Sequence, residues 1–319
     1  MIRALRITDR DLAILRSLAD ARYLTIEALE WLHFPDRRRY WEAAHHTQQQ
    51  PYLASRSLYD RMKRMHDAKL VLRIQRPVAL ASRRYHREPD LYALAPDGAI
   101  WLADATGMLA PTMRADRLRA RSFNTLTHAA AIGTFYAAMR TKVESMRVQF
   151  AEWQSDYALS QGNYDRLTVR VTQANGAVKQ QRMPVLPDGA FWIVHQDTRY
   201  LFFVEIDRGR PVATWREKIL AYEAYVRSPE LKARYGVESF TLLTATTTET
   251  QRQQLMQATA QINAKPGGRY LFTQISDLHP LTIGHAWQRI SAATSTTITV
   301  GGRPFIRMQV EAVPHVLLK

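Results

Sequence analysis

Residues 187–210, PDGAFWIVHQDTRYLFFVEIDRGR, contain two apolar runs separated by a short polar turn near Gln196–Asp197. Two such runs predict the strands of a buried hairpin. The second run carries Glu205 and Asp207, and Asp188 stands at the start of the first. An ionised carboxylate loses its hydration on burial, so a fold that contains this hairpin must supply these side chains with a cation or with hydrogen bonds.

In such a hairpin the start of the first strand pairs with the end of the second. We therefore expect Asp188 to lie beside Glu205, with Asp207 one side-chain repeat further along the same face. Three carboxylates on one face repel one another. A Mg²⁺ or Mn²⁺ ion bound by these three side chains would relieve the repulsion and could activate water for phosphodiester cleavage. Alternatively, nearby cations could neutralise the cluster without a metal: Arg208, Arg210 and Lys218.

The overall charge predicts a polyanionic partner. The 319 residues include 44 Lys and Arg against 29 Asp and Glu, which gives a net charge of +15. This balance is typical of proteins that bind nucleic acid, and we expect the partner to be double-stranded DNA. The segment Arg56–Arg87 carries ten basic residues and two acidic ones, a local excess of eight, so the charge is concentrated there.

The composition also indicates in which cellular compartment the protein is expected. The absence of cysteine excludes disulfides and thiolate zinc sites and fits a reducing cytoplasm. No apolar run approaches the roughly 18 residues of a membrane span, and the polar start MIRALRITDRDL does not resemble a secretory signal. We therefore expect a cytoplasmic protein without a membrane segment.

The first third of the chain shows the pattern of a winged helix-turn-helix. Thr8, Thr25 and Ser55 each precede a helical apolar repeat and are predicted N-caps of three helices. A strand (LVLRIQ), a basic loop (RPVALASRRYHREP) and a second strand (DLYALAPDG) follow the third helix. In this class the third helix enters the major groove and the wing contacts the DNA backbone or minor groove.

This arrangement predicts two sets of DNA-binding residues. Arginine dominates both, which suits the recognition of phosphate and guanine. The predicted contacts of the third helix are Arg56, Tyr59, Arg61, Lys63 and Arg64. The predicted contacts of the wing are Arg76, Arg83, Arg84 and Arg87.

We place a domain boundary near Ser122, between a DNA-binding domain at 1–122 and a second domain at 123–319. The second domain opens with a long predicted helix and continues with a strand meander, helix, strand, helix and strand. That order predicts a mixed α/β sandwich around a central sheet, so that the chain as a whole is α+β. The tail after His279 carries short predicted strands around ITV and PFIRMQV.

The second domain resembles the PD-(D/E)xK nuclease superfamily. Pro187–Asp188 followed by Glu205-x-Asp207, between a strand pair and a helix, matches the order of that motif. The resemblance implies a nuclease-like fold with Asp188, Glu205 and Asp207 as catalytic and metal-binding positions. The final lysine of the motif is replaced by Asp207, and Lys218 on the next helix is a candidate migrated replacement. Glu152 in AEW is a further candidate carboxylate.

Most of the chain resembles the replication-relaxation family of bacterial plasmids and integrated mobile elements. The resemblance is carried by the winged-helix pattern, THAAAIGTFY, the AEW strand, LPDG, FFVEIDRGR and KILAYEAY. It implies DNA binding during plasmid replication, relaxation or transfer, alongside a relaxase or other replication proteins.

The sequence is compatible with three functions. The favoured one is a DNA-binding accessory protein whose nuclease-like domain is degenerate. The second is a metal-dependent endonuclease or nickase that uses Asp188, Glu205, Asp207 and Lys218. The third is a winged-helix transcription regulator whose second domain only dimerises. Each function is compatible with a homodimer, since winged-helix proteins often recognise paired half-sites.

Overall fold

The computed structural model describes residues 6–37, 40, 54–76, 89–107, 123–161, 164–172, 176–264, 267–300 and 303–317. The chain divides into two compact units. The first comprises Met1–Lys142 with His279–Leu281, and the second comprises Val143–Leu278 with Thr282–Lys319. The division thus falls after Lys142 and not near Ser122, because the long helix that opens at Phe123 belongs mostly to the first unit.

The first unit combines helices with a small sheet. Its elements are α1 (Asp9–Ala21), β1 (Leu24–Thr25), α2 (Ile26–His33), α3 (Arg56–Asp67), β2 (Val71–Ile74), β3 (Leu91–Leu94), α4 (Pro96–Thr106) and α5 (Phe123–Ser145). The three strands form an antiparallel sheet in the order β1-β3-β2.

The three predicted helix caps are confirmed. The Thr8 hydroxyl accepts from the Asp11 amide, and the Asp11 carboxylate accepts in return from the Thr8 amide at 2.9 Å, which forms a capping box. The Thr25 hydroxyl accepts from the Ala28 amide, and the Ser55 hydroxyl accepts from the Leu58 amide, each at 3.2 Å. Each cap satisfies an amide that has no partner within its helix.

Helix α5 packs closely against the segment around Tyr23. Leu126 and Ala130 on α5 share one buried cluster with Tyr23 and Leu91. Gly133 makes the closest approach, because a Cβ at this position would lie 2.0 Å from the Tyr23 carbonyl oxygen. These contacts explain why the helix belongs to the first unit.

The second unit is built on a mixed sheet. Its elements are β4 (Gln149–Ser155), α6 (Asp156–Ser160), β5 (Asp165–Thr172), β6 (Val178–Val185), β7 (Gly189–His195), β8 (Thr198–Asp207), α7 (Val212–Val226), α8 (Pro229–Tyr235), β9 (Thr241–Thr246), α9 (Glu249–Ile262), β10 (Tyr270–Gln274), β11 (Trp287–Val300) and β12 (Arg303–His315). The sheet has the strand order β12-β11-β10-β9-β8-β7-β4, with parallel pairs at β8–β9 and β9–β10. The mixed α and β composition and the central sheet agree with the prediction.

Helices α7 and α9 cover one face of this sheet. Phe203 on β8 lies 4.6 Å from Phe240 between ring centroids, and it also contacts Tyr222 and Tyr225 of α7. The Trp215 indole on α7 donates to the Thr259 hydroxyl on α9 at 3.0 Å. The same face continues along β8 to Glu205 and Asp207, because alternate residues of a strand share a side.

Two features differ from the sequence expectation. Strands β5 and β6 pair with each other as a separate two-stranded sheet and do not join the central one. The tail forms a long hairpin in which β11 and β12 pair from Trp287–His315 to Val300–Arg303, where only short strands were expected.

In the part of the chain that is described, no helix combines the length and apolar character needed to cross a membrane.

Candidate functional site

The β7–β8 hairpin brings Asp188 beside Glu205. Gly189 pairs with Val204, and the Asp188 amide donates to the Val204 carbonyl at 2.9 Å. One Asp188 carboxylate oxygen accepts from the Ile206 amide at 2.8 Å. The expected neighbourhood of these two acidic side chains therefore exists, and Asp188 also fixes the backbone of β8.

Helix α7 supplies the partners of Glu205. Lys218 forms an ion pair with one carboxylate oxygen, and the Tyr222 hydroxyl donates to the other at 2.6 Å. Lys218 and Tyr222 are four residues apart and so lie on the same side of the helix. Glu205 is 2% exposed, so its charge is compensated within the fold. Of the two ways to stabilise a buried carboxylate, the structure therefore uses a local cation.

Asp207 has different partners from Glu205. One of its carboxylate oxygens accepts from the Gly209 amide and from the Gln251 side-chain amide, each at 2.9 Å. Gly209 has a φ of 95°, a conformation that favours glycine and closes the turn after β8. Gln251, in the first turn of α9, also donates to the Arg210 carbonyl at 3.3 Å. Asp207 therefore closes the turn and ties it to α9.

The electrostatic surroundings of Lys218 favour its charged form. Burial raises the pKa of Glu205, Lys218 opposes that shift, and the nearby Asp188 adds to it. Burial opposes the charge on Lys218, but the negative charges of Glu205 and Asp188 outweigh it and raise the pKa of Lys218 above its usual value. This shift favours the charged form of Lys218, which suits its ion pair with Glu205.

The donor set does not fit the predicted divalent metal. Both oxygens of Glu205 are engaged by Lys218 and Tyr222, and Asp188 and Asp207 each accept hydrogen bonds from backbone amides. Among the described residues, no group of three or more His, Asp or Glu side chains is arranged to hold a metal ion. The ammonium group of Lys218 contacts the carboxylate that a metal ion would have to bind.

Glu152 lies away from these carboxylates. It occupies a left-handed position with a φ of 52°, within an irregularity of the β4–β7 pairing. Its side chain forms an exposed ion pair with Arg199, near the opposite end of β8 from Glu205. It is therefore not a fourth member of the acidic group.

Several predicted DNA contacts on α3 are exposed. Arg56, Tyr59, Lys63 and Arg64 lie on the solvent side of the helix, opposite the buried Leu58, Met62 and Met65. Two of the cations have acidic neighbours on the same face. Arg56 lies 4.0 Å from Asp60, and Lys63 lies 2.6 Å from Asp67.

Two other predicted DNA contacts serve the fold. The Arg61 guanidinium binds the Asp11 carboxylate at 2.5 Å and the Thr8 hydroxyl at 2.8 Å, so it ties α3 to the start of α1. Arg76 is 6% exposed and donates to the Pro89 carbonyl at 2.7 Å. Both guanidiniums thus have partners within the fold, and their contact with DNA stays a prediction. Arg83, Arg84 and Arg87 lie outside the described residues.

Sequence reasoning missed two residues of the site. These residues are Tyr222 and Gln251. Tyr222 could have been predicted from its spacing to Lys218, since residues four apart share a helix face. Gln251 gives no such signal, because 44 residues separate it from Asp207 and only the packing of α9 beside the turn brings them together.

Comparison with known proteins gives one family. The sequence profile described as replication-relaxation matches residues 15–240, more than half of the chain. No curated protein matches the sequence. The solved structure of the restriction endonuclease FokI bound to DNA is 12% identical, with alignment over 88% of this chain and 45% of that one and a TM-score of 0.26. This chain thus spans less than half of FokI, and a TM-score this low carries no information about fold or function.

Proposed function

The chain belongs to the replication-relaxation family, and from this premise we propose that it is a DNA-binding accessory protein of a plasmid or integrated mobile element. It acts in replication, relaxation or transfer, and its partner is double-stranded DNA in the bacterial cytoplasm. The net charge of +15 supports this function, because neutralising phosphates is the main source of affinity for DNA. A relaxase or another replication protein is the expected protein partner, and a homodimer would suit paired half-sites.

In this proposal the first unit is a winged helix-turn-helix that binds the duplex. The order α1-β1-α2-α3-β2-β3 and the antiparallel pairing of β2 with β3 support it. Helix α3 would enter the major groove with Arg56, Tyr59, Lys63 and Arg64, which are exposed. Arg61 and Arg76 are left out of the interface because internal hydrogen bonds engage them.

The second unit, in the same proposal, has a nuclease-like arrangement that does not cleave. The ion pair between Lys218 and Glu205 is the observation that carries this part. A nuclease of the PD-(D/E)xK type needs carboxylate oxygens that are free to bind a metal ion. Both oxygens of Glu205 instead accept hydrogen bonds from side chains of α7. In this proposal the acidic side chains have a structural role: they stabilise the end of β8 in a protein that binds DNA.

The role of α3 is tested by replacing its two exposed arginines. The double variant Arg56→Gln/Arg64→Gln is expected to weaken binding to duplex DNA by roughly 30-fold near physiological salt, since each lost phosphate contact removes about 0.9 from the log–log salt slope. Fluorescence anisotropy of a labelled duplex measures this change.

The matched control is Arg10→Gln/Arg16→Gln, which removes the same charge from exposed positions on α1. It is expected to change affinity only slightly. Equal losses in both double variants would mean that general charge, and not the face of α3, determines binding.

A further inference from the structure

The β5–β6 ribbon has one buried face and one exposed face. Leu167 and Val169 of β5 and Met183 and Val185 of β6 belong to the buried core that includes α7. Because side chains alternate along a strand, the intervening residues must point away from that core. The ribbon is therefore held firmly on its inner side while its outer side faces solvent.

The outer face carries a triangle of arginines. Arg166 and Arg170 on β5 and Arg182 on β6 are all exposed. In the antiparallel register, Arg182 lies opposite Thr168, midway between the two arginines of β5. At about 3.3 Å per residue the two β5 arginines are ~13 Å apart along the strand, and Arg182 is ~5 Å to the side.

The fold provides little negative charge for this face. The two strands contain four cations, including Lys179, and one acidic residue, Asp165. Asp165 is engaged by the Tyr225 hydroxyl at 2.7 Å and by the Arg234 guanidinium at 2.6 Å. Within the described ranges, none of the three outward arginines forms an ion pair with a carboxylate.

The cations of this ribbon and those of α3 differ in their acidic neighbours. On the helix, Arg56 and Lys63 each lie within 4.0 Å of an aspartate of the same face. On the ribbon, Thr168 lies between the two arginines of β5 and Gln180 lies opposite Arg170, and both are neutral hydrogen-bonding side chains. The Arg166 guanidinium lies 5.1 Å from the centre of the Tyr164 ring and also donates to its hydroxyl, which holds it near the strand.

We propose that the β5–β6 ribbon is a second DNA-contact surface, on which Arg166, Arg170 and Arg182 bind phosphates of a duplex. Guanidinium groups bind phosphate oxygens in pairs, and the width of a two-stranded antiparallel ribbon suits the major groove of DNA. The inference rests on the proposed function, and it adds that the second unit shares in binding DNA.

The experiment uses the full chain and a fluorescein-labelled duplex of random sequence. The triple variant Arg166→Gln/Arg170→Gln/Arg182→Gln is compared with wild type by anisotropy over a series of salt concentrations. Losing three phosphate contacts should flatten the log–log slope by roughly 2 to 3 units and weaken binding by about 100-fold near 0.15 M salt. Circular dichroism should show an unchanged melting temperature, because all three side chains are exposed.

Two further variants make the result specific. Arg166→Lys/Arg170→Lys/Arg182→Lys keeps the charges and should retain most of the wild-type slope. Arg216→Gln/Lys232→Gln/Arg289→Gln removes three cations from other exposed positions of the second unit and should leave the slope nearly unchanged.

The outcomes separate this inference from the function on which it rests. A wild-type slope in the glutamine triple variant, or an equal loss in the charge control, would overturn the role of the ribbon and leave DNA binding by α3 intact. A flat salt response of wild-type protein would overturn both. A loss in the ribbon variant without a loss in Arg56→Gln/Arg64→Gln would support the ribbon and remove α3 from the interface.

Discussion

Replacing Lys218 with methionine is expected to lower the free energy of unfolding of the second unit by about 3 to 5 kcal/mol. The variant would leave the Glu205 carboxylate buried at 2% exposure, close to Asp188, with Tyr222 as its remaining side-chain partner. A buried charge without a counter-charge is one of the costliest defects that a single substitution can create. Urea unfolding followed by circular dichroism and tryptophan fluorescence measures the loss.

The double variant Lys218→Met/Glu205→Gln provides the control. The glutamine oxygen can still accept from the Tyr222 hydroxyl, and no charge remains to be neutralised at that position. We expect most of the lost stability to return, with a coupling energy of about 2 kcal/mol or more between the two sites. If the two single losses simply added, Lys218 and Glu205 would not form the ion pair on which the non-cleaving assignment depends.

The substitution Gly133→Ala is expected to destabilise the first unit by about 3 kcal/mol, the upper part of the range for overpacking. In an exposed helix this change would stabilise the protein by up to about 1 kcal/mol. At this position, however, the new methyl group would lie 2.0 Å from the Tyr23 carbonyl oxygen, and backbone atoms cannot move aside as a flexible side chain can. Helix α5 would have to separate from the segment around Tyr23.

Thermal unfolding followed by circular dichroism tests this prediction, with Gly268→Ala as the matched control. No atom lies within 4 Å of a Cβ at Gly268, so that variant should keep the wild-type melting temperature. A neutral or stabilising Gly133→Ala would mean that α5 does not pack on the first unit, and the division of the chain would move back toward residue 122.

The elements that depend on local sequence were predictable. A cap such as Thr8 or Ser55 accepts a hydrogen bond from an amide three residues away. The start of a helix is therefore determined by a few consecutive residues. The adjacency of Asp188 and Glu205 was predictable for a similar reason. A tight turn near Gln196 fixes the register of the hairpin that joins them.

Features that depend on packing between distant segments were not predictable. The pattern on α3 could place Arg61 on the helix but could not show that Asp11, 50 residues earlier, would engage it. The strand pattern of β5 and β6 is the same whether they extend the central sheet or leave it as a ribbon. The contact between Lys218 and Glu205 was expected only as one possibility, since it depends on how closely α7 packs over the end of β8.

We propose that the protein binds DNA without cutting it. The most direct measurement incubates supercoiled plasmid with wild-type protein in Mg²⁺ or Mn²⁺, and reads binding by gel retardation and strand breaks after the protein is removed. We expect retarded plasmid that is recovered fully supercoiled. Nicked or linear plasmid that forms with wild-type protein but not with Glu205→Gln would contradict the account and assign a nuclease to the second unit.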